Sequence, residues 1–255
     1  MPDKATLAAN RMRFDSNTGD FLADGNVTIT AGDFKIVAPV GSGNIDKQIL
    51  NFEKGITASG LWLGDKINLK SGNVSVSFAG TPTCKFNNGV FGSFGTMKLE
   101  ADKLTITGAG GLEKNSRNKK DTQTKFWLIK VNKLEDLSRG VTFSAGAVEG
   151  VLKNGELHSM TAKNGVHLKG KPKGQKQVVT LRGDSALYSL SRGSIVVSGH
   201  VVATQGGRTL KSDSIVYFPD QNRVEALGGV SKKRNGLVQM GQAEITIDLR
   251  REREN

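Results

Sequence analysis

Apolar and polar residues alternate with a period of two over most of the chain. Val27-Thr28-Ile29-Thr30, Val74-Ser75-Val76-Ser77-Phe78, Leu104-Thr105-Ile106-Thr107 and Ile245-Thr246-Ile247-Asp248 are the clearest runs. Successive side chains of a strand point to opposite faces, so such runs predict strands with one face on a core and the other in water. Thr and Val dominate them, as a half-buried pleated surface favours. Turn signals fall between: Ser16-Asn17-Thr18-Gly19, Ala31-Gly32-Asp33 and Pro219-Asp220-Gln221-Asn222. Strands of about five to eight residues spaced roughly ten apart read as an all-β chain. A helical period is almost absent, and only Lys133–Ser138 leaves room for one helical turn.

The pattern repeats. Residues 5–56 reappear without a gap at 179–230, an offset of 174. Thr6, Leu7, Gly19, Gly25, Val27, Thr30, Gly32, Asp46 and Gly55 match Thr180, Leu181, Gly193, Gly199, Val201, Thr204, Gly206, Asp220 and Gly229. Apolar exchanges lie between them, among them Phe14 for Tyr188, Phe21 for Ile195 and Ile36 for Leu210. Glycine is prominent among the identities, so what recurs is largely where the backbone turns. A third, partial copy, Leu99-Glu100-Ala101-Asp102-Lys103-Leu104, aligns with Leu181–Ala186 and Leu7–Met12. Apolar or small residues stand at its positions one, three and six, with Asp or Asn at four. That one-residue change of phase predicts a β-bulge, with the Asp or Asn bonding nearby backbone. Gly25-Asn26-Val27, Gly72-Asn73-Val74 and Gly199-His200-Val201 form a second recurrent motif, a bend that opens a strand.

Composition narrows the classes. No stretch approaches the ~18 apolar residues of a membrane-spanning helix. The start, Met1-Pro2-Asp3-Lys4, leads straight into repeat material, and the expectation is a mature segment with any signal or anchor outside this sequence. The single cysteine, Cys84, excludes an intrachain disulfide and is read as a small buried hydrophobe. A net charge of +12 points to anionic partners such as nucleic acid, phospholipid or a phosphorylated glycolipid. Glu113–Lys125 is polar, basic and without period, and reads as an exposed loop or insertion; the charged tail 251–255 reads as frayed.

Catalytic chemistry finds no foothold. His158, His167 and His200 have no metal-ligand spacing, and His200 fills the slot of Asn26 and Asn73, a turn role. Gly165-x4-Gly170-Lys171 lacks the Ser/Thr of a phosphate-binding loop, Pro172 standing there instead. There is no nucleophile elbow and no sign of a paired carboxylate. The expectation is a non-enzyme with no catalytic residue, no metal and no cofactor.

Leu181-Arg-Gly-Asp184-Ser-Ala186-Leu-Tyr188, Gly193, Gly199-His-Val201, Thr204-Gln205-Gly206 and Leu210-Lys-Ser-Asp213 resemble the OstA-type repeat, as does Asp24-Gly25-Asn26-Val27-Thr28-Ile29. This repeat builds the lipopolysaccharide-transport proteins LptA, LptC and the N-terminal domain of LptD, and the chain looks LptA-like. The resemblance implies an incompletely closed β-jellyroll, a folded V of two antiparallel sheets, with an apolar interior for the acyl chains of lipid A. It implies a periplasmic location and end-to-end strand pairing with other Lpt-type proteins or with itself, forming a bridge from inner to outer membrane. The expected organisation is an N-terminal repeat region (1–112), a basic insertion (113–125), a C-terminal repeat region (126–250) and the tail, or one continuous jellyroll. The groove residues expected are Met12, Phe14, Phe21, Val27, Ile29 and Ile36 in the first repeat. In the second they are Leu181, Tyr188, Ile195, Val197, Val201, Leu210, Ile215 and Tyr217, beside the equivalents Ala186 and Ala203.

Two rival readings remain. A polymer-forming β-solenoid like the bactofilins would bind no lipid, but should show many short repeats of similar length. A nucleic-acid binder would interleave aromatics with Lys and Arg on its strands. Trp62, Trp127, Tyr188, Tyr217 and scattered Phe do not form that pattern, so no nucleic acid is expected.

Overall fold

The computed structural model describes residues 4–108, 123–137, 139–170, 178–205, 207–221, 223–227, 232–234, 237–239 and 244–247. They form strands β1 (Thr6–Ala8), β2 (Arg11–Phe14), β3 (Asp20–Ala31), β4 (Phe34–Asn44), β5 (Ile49–Glu53), β6 (Ile56–Trp62) and β7 (Asp65–Ser71). Next come β8 (Asn73–Ser77), β9 (Thr83–Phe94), β10 (Met97–Gly108), β11 (Gln123–Asp136), β12 (Val141–Lys153), β13 (Glu156–Gly170) and β14 (Val179–Ser189). β15 (Ser194–Gln205), β16 (Arg208–Phe218), β17 (Arg223–Leu227), β18 (Lys232–Arg234), β19 (Leu237–Gln239) and β20 (Glu244–Ile247) complete the set. One 3-10 turn, Pro219–Gln221, is the only helical element among the described residues.

Every pairing is antiparallel; from β9 to β17 sheet order follows chain order, while between β4 and β9 the sheet is carried by the pairs β5–β8 and β6–β7. Among the described residues β1 and β2 pair only with β3 and form one edge; β17 and β20 pair only with β16 and form the other. The sheet runs unbroken through β10 and β11, joining the two repeat regions. Coils of a parallel β-helix would pair parallel, so this is not a solenoid.

A line of irregularities crosses the sheet. Register shifts occur between Asp24 and Val27, Ala101 and Lys103, Val131 and Leu134, Ser144 and Ala147, Lys163 and Val166, Arg182 and Ser185, and Ser198 and Val201. Where no strand bulges, the chain breaks instead: β4 is met by β5 on one side of the line and β6 on the other, and β9 by β8 and β7. A bulge bends its strand and increases local twist. Repeated across the sheet, it makes a crease, so each long strand contributes one segment to each of two facing layers.

The layers bury alternate residues against each other in one contiguous core. Phe94 of one layer meets Phe126 of the other edge to face, with ring centroids 6.1 Å apart at 88°. Trp62 likewise reaches Phe78, 6.1 Å away. This is the folded V of an incompletely closed jellyroll: two antiparallel layers hinged at the crease and ending in unpaired edges.

The repeat survives into three dimensions residue for residue. β3, β4 and β5 bound the same positions, at an offset of 174, as β15, β16 and β17. Thr6↔Thr30 and Phe14↔Phe21 pair as Thr180↔Thr204 and Tyr188↔Ile195 do. At the crease Gly25 and Asn26 (φ 76° and 52°) correspond to Gly199 and His200 (φ 81° and 49°). The left-handed conformation admits glycine freely and Asn or His with little penalty. The bulge expected in the Leu99–Leu104 and Leu181–Ala186 copies is present as the register shifts at Ala101/Lys103 and Arg182/Ser185, and His200 has its turn role. Its Nδ1 lies 2.9 Å from an Asp184 carboxylate oxygen, so Asp184 bonds across the bulge to a side chain rather than to backbone. The copies part after β17. Thr246 faces Thr209 where the offset would place Lys233, so the β18–β19 hairpin is an insertion.

Two expectations fail. Lys133–Asp136, read as a possible helical turn, belongs to β11, where Leu134 pairs with Leu99 and Asp136 with Met97. Gln123–Lys125, read as the end of a loop, begins β11, and Thr124 is fully buried. The rest of the proposed insertion, 113–122, and the tail 251–255 lie outside the described residues. Cys84 is buried, as expected of a small hydrophobe.

Candidate functional site

The space between the layers is lined by the inward set of every strand. Of the residues expected there, Phe21, Val27, Ile29, Ile36, Leu181, Tyr188, Ile195, Val197, Val201, Ile215 and Tyr217 are buried and pack in the shared core. The middle third supplies as much again: Trp62, Phe86, Phe94, Phe126, Leu152 and Met160 face the same interior. Sequence comparison between copies passed over these because they lie outside the long repeat, although their period-two alternation carried the same signal. Through its centre the interior is filled by its own side chains.

The ends differ from the centre. Met12 and Phe14 pair with the inward Ala23 and Phe21, so they point to the interior side, yet they are 44% and 56% exposed. Their equivalents Ala186 and Tyr188 are 3% and 2% exposed because β13 lies beyond β14 and covers them. Among the described residues no strand pairs on the far side of β2. At the far end Leu210, the counterpart of the fully buried Ile36, is half-buried. It lines a cleft of about 150 Å³ together with Val179, Ala203, Arg208 and Val224. The apolar interior thus opens at both edges of the sheet.

The long side opposite the crease, where the turns of the two layers meet, is closed by a seam. The Thr96 amide donates to the Gly155 carbonyl at 3.1 Å. Gly170 lies against Tyr217 so closely that a β-carbon would come within 2.9 Å of the ring. The Arg139 guanidinium, 3.2 Å from the Asp136 carboxylate, sits 5.6 Å from the centroid of the Tyr188 ring. Asp65 is buried here with no hydrogen-bond partner for either oxygen among the described residues. Burial raises its pKa, while the Thr124 hydroxyl and the Gly155 backbone, its nearest polar neighbours, draw it partly back. Burial also pushes the Tyr188 hydroxyl up to about 12, Arg139 opposing, so it stays protonated.

No group of three or more His, Cys, Asp or Glu side chains that could hold a metal ion occurs among the described residues. No helix is long and apolar enough to cross a membrane. What the arrangement offers chemically is an apolar interior, closed along the seam and least covered at the two ends of the sheet.

Residues 90–223, just over half of the chain, match the family model described as the LptA/(LptD N-terminal domain) LPS transport protein. The chain belongs to this family of lipopolysaccharide-transport proteins. Among solved structures it is similar to LptH from Pseudomonas aeruginosa, described as the LptA homologous periplasmic component of the lipopolysaccharide transport device. The identity is 11% over 96% of this chain and 95% of that one, with a TM-score of 0.31. No curated protein matches the chain.

Proposed function

We propose that this chain is a periplasmic carrier that holds the acyl chains of lipopolysaccharide between its two layers and passes them along a bridge between membranes. The observation that carries this is the exposure of the interior-facing Met12 and Phe14 at one edge, with Leu210 half-buried beside a cleft near the other. A β-sandwich that only packed against itself would gain by covering these positions, since burial stabilises at ~25 cal/mol per Å² of apolar area. Left open, each end continues the interior into whatever strand pairs there. The unpaired N–H and C=O groups of β2 and β17 supply the pairing itself. The partners are then a second copy or another family member, joined so that one interior runs into the next.

Displacement of a fluorescent lipid A analogue tests the reading. Phe21→Asp and Ile195→Asp each place a carboxylate in the apolar interior and should abolish saturable binding. If both variants fold and bind as the wild type does, the carrier reading is wrong. Sedimentation at rising concentration tests the bridge: Phe14→Asp and deletion of β20 should each remove oligomers.

A further inference from the structure

Outside the interior, the outward faces of β12–β15 carry a second feature. Near the β13–β14 end, eight outward positions form a grid four strands wide: Thr142 and Ser144, His167 and Lys169, Thr180 and Arg182, Val202 and Thr204. Three are basic, four carry hydroxyls and none is acidic. His167 and Arg182 are direct cross-strand partners, which puts their β-carbons about 5 Å apart, and Lys169 is diagonal to Arg182. Lys169 and Arg182 bring two like charges close together on one face of the sheet, and no carboxylate stands among these eight positions. The side chains of His167, Lys169 and Arg182 have no hydrogen bond or ion pair with another described residue.

The nearest carboxylates are already engaged. Glu135 is held by Lys133 at 2.9 Å and Asp184 by His200 at 2.9 Å. The sequence from Leu157 to Gly183 contains no acidic residue at all. His167 records the local field: half-burial first, then Arg182 and Lys169, hold its pKa below the usual imidazole value.

We infer that the His167–Lys169–Arg182 face is a binding site for phosphate-bearing anions, with Thr142, Ser144, Thr180 and Thr204 as hydroxyl partners around it. Arg182 supplies a planar fork for two phosphate oxygens and Lys169 a mobile point charge. His167 becomes a third donor when the arriving anion raises its pKa and protonates it. The site lies on the outside of a layer and does not depend on what fills the interior. Two sources carry such groups, the phosphorylated head of a glycolipid and the anionic surface of a phospholipid bilayer.

The test is an NMR titration of the His167 imidazole with inorganic phosphate, against sodium chloride at equal ionic strength. Phosphate should raise the His167 pKa and shift the amides of Ser144, Lys169 and Arg182. Lys169→Gln with Arg182→Gln, both exposed and so harmless to folding, should weaken phosphate binding by about tenfold or more. A response no larger than that to chloride, or one unchanged in the double variant, overturns the site. Vesicles of phosphatidylcholine with and without phosphatidylglycerol then separate the sources. If only the anionic vesicles perturb His167 the face meets a bilayer, and if glucosamine 1-phosphate does so while vesicles do not it meets a sugar phosphate. Failure of lipid A displacement with phosphate binding intact would overturn the carrier reading and leave this one standing.

Discussion

Phe126→Ala removes the ring through which the two layers hold each other most directly. The side chain is fully buried, meets Phe94 edge to face at 6.1 Å, and nests on Gly150, where a β-carbon would stand 2.5 Å from the ring. Truncating a buried Phe costs about 3–5 kcal/mol, of which the aromatic pair itself accounts for roughly 0.5–1.5. In a chain of this size that lowers the melting temperature by about 6–20 °C. Urea unfolding followed by far-UV circular dichroism measures it, and an unchanged m-value shows that stability rather than compactness moved. The same variant interrogates function. An apolar hole of this kind stays dry and accepts apolar guests. If acyl chains run between the layers, lipopolysaccharide should bind the variant more tightly than the wild type and stabilise it more; binding at a hundredfold excess over Kd is itself worth ~2.7 kcal/mol. A loss below about 1 kcal/mol would show that the layers are not packed as described. Equal stabilisation of both proteins by lipid would place the lipid elsewhere.

Three further outcomes follow from the seam and the crease. Because burial holds the pKa of Asp65 above the usual aspartate value, the folded protein favours the protonated acid. Its contribution is favourable below about pH 4 and is lost as pH rises through the folded value. Asp65→Asn should therefore melt higher than wild type at pH 7, with the gap closing toward pH 4; a gap independent of pH refutes this. Tyr188→Phe removes a buried hydroxyl without a partner among the described residues and should be neutral or stabilising, whereas a loss above about 1 kcal/mol would reveal a bond to that oxygen. Gly25→Ala and Gly199→Ala put a β-carbon into left-handed backbone at φ 76° and 81°, against Asn10 and Asp184 respectively. Each should cost at least about 1 kcal/mol in thermal or urea unfolding, and a marked cost at one site alone would break the equivalence of the copies.

Much of this architecture was legible because the same residues that repeat are those that fix the backbone. Gly25-Asn26 and Gly199-His200 force the crease, and period-two alternation on either side assigns the inward set. The errors have local causes. Lys133-Leu-Glu-Asp136 has helical propensity, but Leu134 and Asp136 take their places opposite Leu99 and Met97, and tertiary pairing overrides propensity. Thr124 sits in a polar run that resembles a loop, and only its pairing with Leu152 draws it into a strand.

The contrast between Phe14 and Tyr188 shows where sequence phase stops being sufficient. Both face inward, both pair with an inward neighbour in the same register, and the repeat makes them equivalent. One is 56% exposed and the other 2%, because β13 lies beyond β14 and, among the described residues, no strand lies beyond β2. Alternation fixes the direction in which a side chain points; the next strand fixes whether it is buried. An inward residue left bare at an edge therefore marks a missing neighbour. The buried copy specifies its form: a strand antiparallel to β2, aligned on Phe14 as Met160 aligns on Tyr188, with an apolar residue there to close the gap.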